Sequence, residues 1–296
     1  MKLTNNHNLP AAIFNAIKND TYNGPGIDSN KISVTSLINP PRIHYLKKRH
    51  WRDIIEDASD ALWRLLGQAV HAILERAGSG NNIVEERAER VIDGVTISGQ
   101  ADILDECAIE DYKLTSIWQY IHAQDGKKEH IAQLNLIRWL ISPIFPEISR
   151  LTVNLILRDW SAGKAKSTPG LPPIPFVSID VPVWSADEID AYVSERVSLF
   201  KAASKLADND LPECSSEDCW ERPTVFAVMK DGGKKAIPGG LCKTMKEAET
   251  LVGPKMHVEV RAGGRMRCAG YCVAAPFCNQ YKAYAKKMET VPEVDW

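Results

Sequence analysis

No run of apolar residues in this sequence approaches the roughly 18 that a membrane-crossing helix needs, so no membrane span is expected. Net charge is nearly absent as well: 36 Lys and Arg against 38 Asp and Glu leave −2. That balance removes any whole-molecule argument for a polyanionic partner, and a cationic footprint must be local. The opening "MKLTNNHNLPAAIFNAIKND" lacks the charged start and long apolar stretch of a secretory signal. The seven cysteines are odd in number, which argues against a disulfide framework and for a reducing, cytoplasmic setting. There are no tandem repeats and no low-complexity tract.

What is present is ordinary globular material: 296 residues, 44% hydrophobic and 25% charged, enough to bury a core as one large domain or two smaller ones. Residues 1–30 read as a poorly structured, variable lead-in broken at "NGPG". Residues 31–213 read as the main domain and 214–296 as a small Cys-rich subdomain. Apolar spacing predicts a helix over about 58–77, with Leu62, Leu65, Leu66, Ala69, Val70 and Ile73 on one face and Arg64, Gly67, Gln68, His71 and Glu75 opposite. "NNIVEERAER" and "VTISGQADIL" read as strands around a turn at Asp93-Gly94. A second helix is expected over about 128–141. "LTVNLILRDW" and "FVSIDVPVW" read as strands, with the Pro/Gly-rich "GKAKSTPGLPPIP" as a loop between them. Ser185 with Glu188, and Thr244 with Glu247, have the spacing of capping boxes that open helices.

The segment "SGQADILDECAIEDYK" reads as a hairpin with charges where a buried strand wants apolar residues. In strand 108–113, alternation puts Ile109, Asp111 and Lys113 on one face and Ala108, Glu110 and Tyr112 on the other. A turn centred between Glu106 and Cys107 would set Asp102 opposite Asp111. Facing carboxylates repel. A divalent cation between them, commonly held by one or two carboxylates and waters, removes the conflict. Lys113, on the same face, could meet a phosphate. Solvated surface charge is the alternative reading of this short pattern. His71, in "GQAVHAILE", could be a further ligand, more natural for Mn²⁺ than for Mg²⁺. Gly67, one turn before His71, could admit a ligand or another backbone. Gln133 sits beside an otherwise apolar helix face, and Glu85 or Glu86 could face the site from the preceding strand.

Taken in order, "GQAVHAILE", "SGQADIL", "IEDYK" and "QLNLIRWL" resemble the RecB-type branch of the PD-(D/E)XK nucleases, which includes CRISPR adaptation nucleases and phage exonucleases. The opening "ISVTSLINPPRIHYL" is similar to the start of such domains, and the likeness spans about residues 31–160. The resemblance implies an α/β, restriction-endonuclease-like fold: a mixed central sheet flanked by helices. It implies metal-dependent hydrolysis of DNA phosphodiesters with Mg²⁺ or Mn²⁺. His71, Asp102, Asp111 and the Tyr112 carbonyl would hold the metal, and Asp102, Asp111, Lys113 and Gln133 would serve catalysis. One position departs from the pattern: the family's usual Tyr four residues after the Gln is Ile137 here.

Six cysteines follow residue 213, and Cys268, Cys272 and Cys278 have C-x3-C-x5-C spacing. A fourth ligand would complete a zinc site or a cubane cluster, and Cys214 is the first choice, Cys219 the second. The resemblance favours a structural 4Fe–4S cluster, with Zn²⁺ the alternative, although its distant Cys before the nuclease core is missing here. Cys107 and Cys242 read as plain small residues. The basic-aromatic stretch 42–52 offers Arg42, Lys47, Lys48 and Arg49 as phosphate contacts, with Arg158 on a second basic edge. No sequence-reading motif accompanies them.

The expected function is a DNA exonuclease on single strands or ends, with DNA as partner, in recombination, repair or phage DNA metabolism. Recombination or replication proteins are candidate associates. The rivals are a non-catalytic DNA-binding accessory protein and a zinc-binding interaction module. Polarity and oligomeric state are not encoded in any motif.

Overall fold

A computed structural model describes residues 1–20, 31–77, 83–84, 87–105, 107–121 and 127–289. The chain divides into two compact units, Met1–Ala207 and Asp208–Trp296. Among the described residues no helix is long and apolar enough to cross a membrane.

The first unit runs β1 (Lys2–Thr4), α1 (Ala11–Lys18), β2 (Lys31–Ser33), α2 (Val34–Leu37), α3 (Pro41–Arg49), β3 (Ile55–Asp57) and α4 (Leu62–Ala77). It continues through β4 (Ile83–Val84), β5 (Arg87–Ile92), β6 (Val95–Gln100), β7 (Ile103–Leu104), β8 (Ala108–Thr115), α5 (Ile117–Ile121) and α6 (Lys128–Ile141). It ends with β9 (Arg150–Leu157), α7 (Ala162–Ser167), β10 (Phe176–Val181) and α8 (Ala186–Ser204). The fold is mixed α/β. The main sheet has the order β10-β9-β8-β7-β4, in which β8 and β9 run parallel and the other pairs antiparallel. A second sheet, β2-β6-β5, and the short parallel pair β1–β3 complete the unit.

Helix α6 is apolar on the faces that meet the sheets, and Leu134, Leu136, Ile137, Leu140 and Ile141 are buried there with Ile97, Leu151, Val153 and Leu155. Ile137 is therefore a core residue. Gly99 lets this packing close: a Cβ there would stand 2.7 Å from Leu140 Cδ1 and 2.9 Å from Val34 Cγ2. Helix α3 opens with Pro41 at its first position, where the missing N–H costs no helical bond. Helix α8 opens on a full capping box from Ser185 and Glu188. The β5–β6 hairpin turns at Asp93 and Gly94, both with positive φ, as a tight two-residue hairpin requires.

Three expectations need correction. Residues 1–20 are structured: α1 buries Ile17 against Ala58 and Ala61, and β1 pairs with β3. "VTISGQADIL" is not one strand. It breaks at Ala101-Asp102, so that β6 joins one sheet and β7 the other. The loop after β9 begins with α7. Helix α4 carries His71 toward the hairpin on its polar face, as the sequence reading placed it. Leu62 and Leu65 pack on the α1 cluster, but Trp63, Leu66 and Ile73 are exposed. Arg64, Gln68 and His71 meet Glu56, Asp20 and Asp102, so each of the three has a partner. The "NGPG" breaker, Glu85 and Glu86 lie outside the described residues.

The second unit holds a three-stranded antiparallel sheet, β13-β12-β14, and a small pair, β11–β15. Its elements are β11 (Glu221–Arg222), β12 (Val225–Lys230), β13 (Ala236–Cys242), α9 (Met245–Glu249), β14 (Met256–Arg261), β15 (Gly264–Arg265), α10 (Met266–Gly270) and α11 (Asn279–Glu289). Thr244 caps α9 by accepting from the Glu247 N–H at 3.2 Å. Cys242 packs with Val228 and Ala248, whereas Cys107, in the first unit, is exposed in its turn.

Candidate active site

The register of β7 against β8 pairs Ile103 with Glu110 and Leu104 with Ile109. Residue numbers across the hairpin sum to 213, so Asp102, just outside β7, falls opposite Asp111. Alternation along β8 then sorts the charges. On one face, the Lys113 ammonium donates to Asp111 Oδ1 at 2.8 Å and Gln133 Nε2 on α6 donates to the same oxygen at 3.2 Å. On the other face, Glu110 accepts from the Tyr112 hydroxyl at 2.7 Å and from Asn154 Nδ2 at 2.9 Å. Burial, then the Glu110 contact, pushes the Tyr112 phenol up to about 12. Glu110 is thus occupied away from Asp111.

Asp102 is fixed from two sides. Its Oδ2 accepts from the Tyr112 backbone N–H at 2.9 Å and lies 3.4 Å from His71 Nδ1. The hydrogen bond to Asp102 raises the His71 pKa, with burial opposing it. Helix α4 therefore brings His71 to the hairpin through its polar face. Gly67 on that helix faces open space, and an added Cβ would meet nothing within 4 Å.

Asp111 is 3% exposed. Burial raises its pKa, the Lys113 charge opposes that shift, and the Asp102 charge adds to it. Its Oδ2 is the only buried side-chain N or O atom among the described residues without a hydrogen-bond partner. A buried, unpaired carboxylate oxygen is costly. Among the described residues no group of three or more His, Cys, Asp or Glu side chains is arranged to hold a metal ion. The fit to a divalent cation therefore rests on the unpaired Asp111 Oδ2 with Asp102 opposite it. One or two carboxylates suffice for Mg²⁺ when waters complete its shell.

The basic-aromatic stretch is less exposed than its composition suggests. Arg42 is 2% exposed and His44 8%, so burial removes Arg42 from the surface phosphate contacts. Lys47 and Lys48 are half-buried, and Lys47 sits 5.5 Å from the centre of the Trp51 ring. Arg49 is exposed and donates to the Ser204 carbonyl at 3.3 Å. Arg158, exposed at the end of β9, stacks 3.9 Å over the Trp63 ring. Trp63 was legible only as part of a helix, because nothing in the local pattern marks the long-range stack.

In the second unit the tail cysteines are neighbours. Burial first, then charge on Cys219, Asp218, Cys278 and Cys272, pushes the Cys214 thiol up to about 12. Cys268 is likewise pushed up to about 12 by burial, then by the charge of Cys219 and a hydrogen bond with it, then by Cys272 and Cys278. Five thiols thus share one neighbourhood, with both candidates for the fourth ligand in it. Cys214 and Cys268 are thereby held as neutral thiols, and a bound metal ion would displace their protons and take the thiolates as ligands. Four of the five would supply the donors a four-thiolate group needs, although among the described residues no three of them are arranged to hold a metal ion.

No family model matches the chain, and no curated protein does. Among solved structures, one of a protein called SSO0001 is similar with a TM-score of 0.45 and 17% identity, over 63% of this chain and 84% of that one. A phage related exonuclease from Haemophilus somnus 129PT is similar with a TM-score of 0.28 and 14% identity, over 63% of this chain and 76% of that one. At TM-scores below 0.5 these likenesses decide nothing about this chain's activity.

Proposed function

We propose that the protein is a metal-dependent deoxyribonuclease of restriction-endonuclease-like fold, acting as an exonuclease on single-stranded DNA or DNA ends. The observation that carries this reading is Asp111: a buried carboxylate with one oxygen held by Lys113 and Gln133 and the other without a partner. The resemblance of the sequence to the RecB-type nucleases supplies the substrate class. Asp111, Asp102, His71 and the Tyr112 carbonyl would hold Mg²⁺ or Mn²⁺. When bound there, such an ion activates water and offsets charge developing on the phosphate.

The chain's own groups have separable tasks. Tyr112 N–H and His71 fix the Asp102 carboxylate. Gln133 fixes Asp111 from the helix side. Lys113 carries the positive charge that meets the phosphate, where preorganised donors lower the barrier most. The test is cleavage of end-labelled single- and double-stranded DNA with Mg²⁺ or Mn²⁺ and with chelator. Metal-dependent release of nucleotides is expected. Intact DNA under every condition would reject the reading and favour a non-catalytic DNA-binding protein.

We propose further that Cys268, Cys272 and Cys278, with Cys214 or Cys219, hold a structural 4Fe–4S cluster, with Zn²⁺ as the alternative occupant. Protein purified without oxygen should be brown and absorb at about 400 nm. A colourless preparation with stoichiometric zinc would leave the zinc alternative, and one with neither metal would reject both.

A further inference from the structure

Beyond Lys113, at the ends of β8 and β9, lies a cavity of about 210 Å³. Its described lining includes three cations, Lys113, Lys127 and Arg158, and the hydroxyl residues Thr115 and Ser116, and it contains no carboxylate. The cavity and the Asp111 site share one residue: Lys113 donates its ammonium to Asp111 Oδ1 and is also part of the cavity lining.

Two of these cations are preset. The Arg158 guanidinium lies 3.9 Å over the Trp63 ring. Stacking engages its face and leaves the N–H edge to bind in plane, the geometry that suits a phosphate. Lys127 stands at the start of α6, a helix with no side-chain cap at its N-terminus, and its ammonium donates to Gln119 Oε1. Burial lowers the Lys127 pKa, with Glu129 opposing. His130, also in the lining, is pushed down to about 4 by burial and then by the charges of Lys113 and Lys127. Burial is the first cause of both shifts, the two lysine charges add to it at His130, and an anion inside the cavity would offset those charges.

We propose that this cavity is a phosphate seat, holding the backbone phosphate that neighbours the scissile one on a bound DNA strand. The occupant rests on the nuclease reading above; the anion preference rests on the lining alone. Seated there, the adjacent phosphate fixes the register of the strand over Asp111. Lys127 and Arg158 are positioning residues, since neither touches the reacting atoms.

Two measurements separate the seat from the nuclease reading. Inorganic phosphate should raise the thermal midpoint of the wild type, and raise that of the Lys127→Gln/Arg158→Gln double variant less. In cleavage assays each single variant should raise KM several-fold with kcat nearly unchanged. Each should also flatten the salt dependence of log(kcat/KM) by about one phosphate contact. A general structural defect would not change that slope. Cleavage by the wild type with an unchanged KM and salt slope in both variants would overturn the seat and leave the nuclease standing. Phosphate stabilisation lost in the double variant, without any DNA cleavage by the wild type, would overturn the assigned occupant along with the nuclease. Equal phosphate stabilisation of wild type and double variant would overturn the seat itself.

Discussion

Asp111→Asn is expected to abolish metal-dependent DNA cleavage, by about 10³-fold or more, and at the same time to make the metal-free protein more stable. Both effects follow from one geometry. The carboxylate is buried, and its Oδ2 has no partner among the described residues. Asn keeps an oxygen for Lys113 and Gln133 and places a neutral amide where the unpaired charge was. An unsatisfied buried charge costs more than an unsatisfied amide. The expected gain is about 1–3 kcal/mol, or several degrees in thermal midpoint with chelator present. Mn²⁺ should stabilise the wild type and leave Asp111→Asn unchanged. Full activity in the variant would sink the site assignment. A lower metal-free midpoint would show that the Lys113 ion pair outweighs the cost of burying the carboxylate.

The part of this site legible in the sequence is the part governed by strand alternation. A period of two sets Asp111 and Lys113 together and sends Glu110 to the other face, and the structure places Glu110 against Tyr112 and Asn154. The hairpin register followed from where the turn could sit, and the β7–β8 pairing has the same sum. Helix α6 and the Ser185 cap were equally local and equally readable. What could not be read was any choice made by the rest of the molecule. The amphipathic pattern of helix α4 sets His71 on its polar face, but the partners of that face, Glu56, Asp20 and Asp102, are set by the rest of the molecule. The break between β6 and β7 has no Gly or Pro at Ala101-Asp102 to announce it. It exists because two sheets divide the segment between them. Arg42 and His44 look like surface charge in a basic stretch, and both are buried, His44 against Phe200 of α8.

His44 turns that burial into a pH dependence. Its ring meets Phe200 of α8 edge-on at 5.4 Å, and Tyr45 next to it donates to the Phe200 carbonyl at 2.9 Å. Burial first, then Lys48 and Lys47, lowers the His44 pKa from 6.5 to about 4. A histidine with a depressed folded-state pKa is held neutral in the native state. Its contribution to stability is full above about pH 6.5, where the unfolded chain is also neutral, and is lost as pH falls toward 4. The loss over that window is about 3 kcal/mol at most. His44→Gln removes the titration, so its stability should fall less between about pH 7 and pH 4.5 than that of the wild type, by about 2 kcal/mol in urea denaturation. His130, also pushed down to about 4, keeps its own share of the slope in both proteins. The difference between the two curves therefore isolates His44, and parallel curves would mean that the imidazole under α8 accepts its proton without cost.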